Sequence, residues 1–121
     1  MPRYTMSTHD HPFPHWDLFL EQSPTEGLRT WRLLLAPDSE IPQSAEALVD
    51  HRRIYLDYEG PLSGDRGEVH VWQTGTYEWI EHRPDRMELK LSGSGLQGRI
   101  LLTRIGTVEW EYLYQPVIGA N

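Results

Sequence analysis

Apolar and polar residues alternate along most of this chain with a period of two. Between His15 and Glu21, the residues Trp16, Leu18 and Leu20 share one parity, and His15, Asp17, Phe19 and Glu21 share the other. Such alternation marks a half-buried strand, whose side chains two apart lie on one face. It assigns the apolar trio to a core and sets His15 and Asp17 on a common opposite face. Met87, Leu89 and Leu91, and later Trp110, Tyr112 and Tyr114, repeat the pattern.

The same reading predicts strands over residues 3–8, 15–21, 28–35, 54–58, 68–72, 76–80, 86–91, 99–105 and 107–114. Turn-rich segments punctuate them, at 23–27, 60–67, 74–75, 84–85 and 92–95. Residues 36–44 read as loop, 45–48 as one helical turn, and the chain from about 115 as a tail. About eight short strands separated by turns predict an all-β fold with little helix. A small antiparallel β-barrel or a tightly curved sandwich is expected. The length of 121 residues points to a single domain with one core.

Composition narrows the picture. Five Trp and six Tyr suit strands, and there is no cysteine for a disulfide or thiolate chemistry. No apolar run approaches the ~18 residues of a membrane span, and no basic segment precedes an apolar leader. A cytoplasmic protein without membrane contact, and a monomer, is expected. The net charge of −7 argues against indiscriminate binding to polyanions. Lys90 is the only lysine; the other basic residues are arginines, suited to a few directed phosphate contacts.

The candidate chemistry lies at the start of the chain. Pro12 and Pro14 favour an extended bend between His9 and His15. A bend of that kind brings His9 back beside His15 and Asp17. Two imidazoles and a carboxylate suit Mn²⁺, Fe²⁺ or Zn²⁺. Solvated histidines and an ordinary His–Asp hydrogen bond are the alternative.

The stretch His9-Asp10, then His15-Trp16-Asp17-Leu18-Phe19-Leu20-Glu21, resembles the motif His-Asp-x4-His-x-Asp-Leu-x-Leu-Glu. That motif belongs to the 3′-phosphoesterase domain of bacterial DNA ligase D. Further similarity lies in His51-x3-Tyr55 followed by Tyr58-Glu59-Gly60, in the segment from Val69 to Tyr77, and in Leu96-Gln97-Gly98-Arg99. Together these span nearly the whole chain. The resemblance implies a small β-barrel with a crescent groove. It also implies Mn²⁺-dependent removal of a 3′-terminal ribonucleoside, then of the 3′-phosphate, from DNA ends during repair and non-homologous end joining.

Carried over by position, the resemblance makes His9, His15 and Asp17 the ligands of Mn²⁺ or another divalent metal. It sets His51 on the scissile phosphate and Tyr55 in the same pocket. The partners it implies are DNA 3′ ends and a ligase or polymerase. The sequence departs from the family at three phosphate-contact positions. Phe19 stands for an Arg, Leu35 for a Lys and Ser7 for a Gln, and the family's longer N-terminal arm is not seen. Arg53, which shares strand parity with His51 and Tyr55, and Arg66, in the glycine-rich link, are the candidate replacements. Glu21 is a candidate to orient a metal-bound histidine. A catalytically weak module that holds a metal, a phosphate or a DNA end within a repair complex remains the alternative. An enzyme of small phosphorylated substrates is a third reading.

Overall fold

The computed structural model describes residues 1–117. It contains nine strands: β1 (Arg3–His9), β2 (His15–Glu21), β3 (Leu28–Leu33), β4 (Gln43–His51), β5 (Gly60–Pro61), β6 (Glu68–Arg83), β7 (Arg86–Ser92), β8 (Gly98–Arg104) and β9 (Glu109–Gln115). They form one antiparallel sheet ordered β1-β2-β3-β4-β9-β8-β7-β6-β5, and β1 pairs in addition with β6. This last pairing closes eight strands into a ring, in agreement with the expected antiparallel all-β fold. A sheet closed on itself satisfies its edges internally. The short β5 lies outside the ring: Val69 pairs with His9 on one edge of β6 and with Gly60 on the other.

The inward parity of the ring is mostly apolar. Tyr4, Leu18, Trp31, Ala45, Tyr77, Leu89, Ile100 and Tyr112 contribute to one buried cluster. Trp31 and Trp110 meet edge to face within it, with ring centres 5.7 Å apart. Burying each large side chain contributes about 1.5–3 kcal/mol, so the ring interior supplies most of the driving force.

Three segments differ from the alternation reading. Residues 45–48 continue strand β4 and do not form a helical turn. Ala45 lies across from Leu33 and Trp110, and Ala47 across from Trp31. The large neighbours fill the space above small alanines whose own preference is helical. Residues 68–83 are one strand, without a turn at Thr74-Gly75. A Cβ at Gly75 would stand 2.5 Å from the Ser92 carbonyl oxygen and 2.8 Å from Tyr4 Cε1. The glycine there serves a close approach of strands. Residues 54–58 are not a strand, because a 3₁₀ turn spans Arg53–Leu56. At the C-terminal end β9 runs through Gln115, and residues 118–121 of the expected tail lie outside the described residues.

The 3₁₀ turn covers part of the outward face. On β1, β2 and β3 the outward parity is buried too: Thr5, Ser7, His15, Asp17, Phe19, Leu28 and Thr30 are almost solvent-free. Phe19, Leu28 and Leu56 make a second small cluster, with Tyr55 packed against it. The cover is pinned by three polar contacts. Thr5 Oγ1 donates to the Leu56 carbonyl at 2.8 Å, Arg3 grips Asp57 with two bonds of 2.6 and 3.0 Å, and Arg53 pairs with Glu21.

Candidate metal centre

The β1–β2 register sets His9 directly opposite His15 and Ser7 opposite Asp17. Directly opposed residues share a face. The three side chains therefore emerge together from the outward wall of the ring. His9 Nδ1 stands 3.6 Å from Asp17 Oδ2, and His15 Nε2 stands 3.4 Å from Asp17 Oδ1. One ligand atom from each residue lies within 4.8 Å of the others. Donors on one ion at ~2.0–2.2 Å bond lengths stand roughly 3–4 Å apart, so a small inward movement closes the set.

Backbone carbonyls decide which nitrogen of each ring is free. His15 Nδ1 lies 2.7 Å from the Phe13 carbonyl, and His9 Nε2 lies 2.9 Å from the Arg66 carbonyl. A carbonyl only accepts, so each of these nitrogens donates a proton. The nitrogens that face Asp17 then carry lone pairs. His15 Nε2 and Asp17 Oδ1 are buried, and neither has a hydrogen-bond partner. Two buried acceptors facing one another are costly unless a proton or a metal cation lies between them. The residues thus fit a divalent ion, and the carbonyl-oriented imidazoles are the arrangement that metal-binding histidines use.

Burial and its two polar partners act on His15 in opposite senses. Burial disfavours its charged form, but the Asp17 carboxylate and the Phe13 carbonyl outweigh burial and raise its pKa above the ordinary histidine value. A proton and a cation therefore compete for Nε2.

Asp10, the second residue of the first motif, fixes the loop. Its Oδ1 accepts from the Glu68 N–H at 2.8 Å. Gly67 beside it has φ of +78°, and a Cβ there would stand 2.1 Å from Asp10 Oδ1. Only glycine fits this position. The same contact carries Arg66 to His9, so the glycine-rich link is tied to the metal ligands.

The remaining candidates fall in different places. His51 ends β4, donates Nδ1–H to the Val49 carbonyl at 2.9 Å, and packs on Phe19 with ring centres 5.5 Å apart. Tyr55 stacks on the same Phe19 at 6.0 Å. Both thus border Phe19, which is two positions along the face from Asp17, and neither joins the metal group. Arg53 does not face outward to a ligand: its guanidinium donates to Glu21 and to the Ser23 carbonyl. Glu21 is engaged by Arg53 and by the Arg3 N–H at 3.0 Å, and among the described residues its carboxylate makes no hydrogen bond to a histidine. Arg66 folds back on its own loop, donating from Nε to the Ser63 carbonyl at 2.7 Å. Leu35 is exposed in the loop after β3, and Phe19 is buried.

One residue escaped the sequence reading. Arg32 lies directly across from Asp17 on β3. Its guanidinium sits 5.4 Å from the centre of the Phe13 ring, which packs edge-on against His15 at 5.7 Å. Among the described residues its Nε is buried without a partner, and its one ion pair, to Glu46, is long at 3.8 Å. A signal was available. If Glu21 and Leu28 flank the hairpin turn, counting back along both strands sets Asp17 opposite Arg32.

A closed antiparallel ring with a His-His-Asp group on its outer wall defines the class: a β-fold protein with a candidate divalent-metal centre. The family model of the DNA ligase D 3′-phosphoesterase domain matches residues 7–104, and the chain belongs to that family. No curated protein matches it. Among the described residues, no helix is long and apolar enough to cross a membrane.

Proposed function

We propose that the protein is a divalent-metal-dependent 3′-phosphoesterase, with Mn²⁺ as its metal. Its substrates are DNA 3′ ends that carry a terminal ribonucleotide or a phosphate. The observation that carries this reading is the pair of buried, unpartnered acceptors, His15 Nε2 and Asp17 Oδ1, beside the free Nδ1 of His9 in a chain of this family.

His9, His15 and Asp17 hold the ion, and the carbonyls of Phe13 and Arg66 keep both imidazoles in the metal-binding tautomer. A divalent ion in such a site neutralises phosphoryl oxygens and lowers the pKa of bound water. Arg32 supplies the positive charge on the flank of the site, in place of the Arg that Phe19 replaces. His51, held by its Nδ1–H, turns Nε2 towards the phosphate, and Tyr55 forms the adjoining wall. Phosphoryl transfer depends chiefly on positioning and on charge aimed at the transferring group, which these residues provide. The product, a 3′-OH, is the group that a polymerase or ligase extends or joins.

The test is release of inorganic phosphate from a 3′-phosphorylated primer with and without Mn²⁺, beside a small phosphate ester. Metal-dependent release from the primer is expected. A second reading rests on Phe19 and on the engagement of Arg53 by Glu21: a module that binds the metal and the DNA end without hydrolysis. Mn²⁺-dependent binding of the primer without turnover would favour it.

A further inference from the structure

Beside the metal centre, the cover forms a second concavity. It is a pocket of about 280 Å³ whose walls include Arg52, Tyr55, Tyr58, Leu62, Ser63 and Arg66. We infer that this pocket binds the nucleotide that carries the scissile phosphate, its base against the tyrosines and its 5′-phosphate between Arg52 and Arg66. The inference rests on the phosphoesterase reading and adds to it the subsite that would recognise the strand.

The walls have the chemistry of a single-stranded nucleotide site, which combines aromatic faces with cations. Tyr55 and Tyr58 meet nearly at right angles, with ring centres 6.0 Å apart. Tyr55 is backed by Phe19, and the Tyr58 hydroxyl is fixed to the Pro61 carbonyl. Both rings are therefore held in place before a ligand arrives. The Arg52 guanidinium lies 5.7 Å from the centre of the Tyr55 ring. Among the described residues it has no ion pair, unlike Arg3 with Asp57 and Arg53 with Glu21. Arg66 spends Nε and Nη2 on Ser63 and keeps Nη1 for a ligand.

Two acidic neighbours are engaged elsewhere. Asp57 is gripped by Arg3, and Glu59 Oε2 accepts from the Val71 N–H at 3.0 Å. Arg66 joins the pocket to the candidate metal centre: it lines the pocket, and its carbonyl holds His9 at 2.9 Å. On the phosphoesterase reading, a 3′-phosphate at the metal would leave its own nucleoside on the Arg66 side, towards the pocket. A free phosphate would use the arginines alone and leave the tyrosine faces without a role.

The experiment measures fluorescence anisotropy of a 5′-labelled single-stranded oligonucleotide with a 3′-phosphate, titrated with the full chain in Mn²⁺. A second oligonucleotide carries an abasic site at the terminal nucleotide. Loss of the base should weaken binding about 10-fold, the scale of one base–aromatic stack. Tyr58→Ala should remove most of that difference between the two oligonucleotides. Arg52→Ala should weaken both and lower the salt slope by about one. Equal binding of the base-bearing and abasic oligonucleotides would overturn the inference, as would a base preference that survives Tyr58→Ala. A protein that keeps the base-dependent binding but releases no phosphate would sink the phosphoesterase reading and leave the pocket standing.

Discussion

His15 Nε2 and Asp17 Oδ1 face each other at 3.4 Å, and neither has a hydrogen-bond partner. While His15 is neutral, the contact leaves two buried acceptors unsatisfied in the metal-free protein, so stability is given up there for binding. Asp17→Asn tests this directly. The new amide N–H can donate to His15 Nε2, and one satisfied buried hydrogen bond contributes about 1 kcal/mol. The variant should therefore be more stable than the parent to urea in EDTA, while calorimetry shows no Mn²⁺ binding. The parent should gain about 2.7 kcal/mol at a metal concentration 100 times its Kd. If the variant keeps Mn²⁺ affinity, Asp17 is not a ligand.

Phe19 stands where the sequence resemblance implies an arginine, and on that resemblance alone Phe19→Arg would be expected to improve catalysis. Its surroundings argue otherwise. The ring is 2% exposed and packs with Leu28, Leu56 and Tyr55 beneath the cover. A guanidinium there is an uncompensated buried charge, so Phe19→Arg should cost about 3–5 kcal/mol. Denaturant unfolding would register this as a large drop in midpoint, and activity should fall with it. A folded and faster variant would mean that the cover opens readily.

In the proposed function, Arg32 supplies the charge that Phe19 cannot. On that reading Arg32→Gln removes a donor beside the phosphate and should lower kcat/KM on a 3′-phosphorylated primer by about 10²-fold. Mn²⁺ affinity should hold or tighten, since a positive neighbour is lost. Calorimetry and steady-state kinetics separate the two effects. Unchanged kinetics would return Arg32 to the role of a partner for Glu46.

How far the sequence reached follows from the length of each regular run. Over the seven residues of β2 a strict period of two fixes the faces, so His15 and Asp17 fell together and Leu18 and Leu20 inward. The same rule misplaced Arg53. Parity carries over from His51 only while the strand continues, and β4 stops at His51. In the 3₁₀ turn that follows, each residue rotates by about a third of a turn, so Arg53 points to Glu21 while Tyr55 reaches Phe19. Four residues of Ile, Tyr and Leu content look like a strand, and only their packing as a lid distinguishes them. Arg32 was within reach of register counting, since β2 and β3 form an unbroken hairpin.

The cover should be the acid-sensitive part of the molecule, through Glu21 and Arg53. The hydrogen bond from Arg53 holds the Glu21 carboxyl below its ordinary range; the Arg3 N–H adds to this and burial opposes it. A carboxylate with a depressed folded-state pKa adds stability that is fully present above the unfolded value and is lost as pH falls through the folded one. Stability of the parent should thus decline below the ordinary glutamate range, and Glu21→Gln should flatten that part of the curve. At neutral pH the variant should lose about 1–2 kcal/mol, between the worth of an exposed pair and a buried charged hydrogen bond. Arg53→Ala should cost a similar amount, and the double variant little more than either single one, because both break the same contact. Hydrogen exchange gives the regional readout. Amides of residues 53–58 should lose protection in either variant while those of β8 and β9 keep it. Additive losses, or loosening spread around the whole ring, would show that Glu21 and Arg53 do not act together to hold the cover over Phe19 and Leu28.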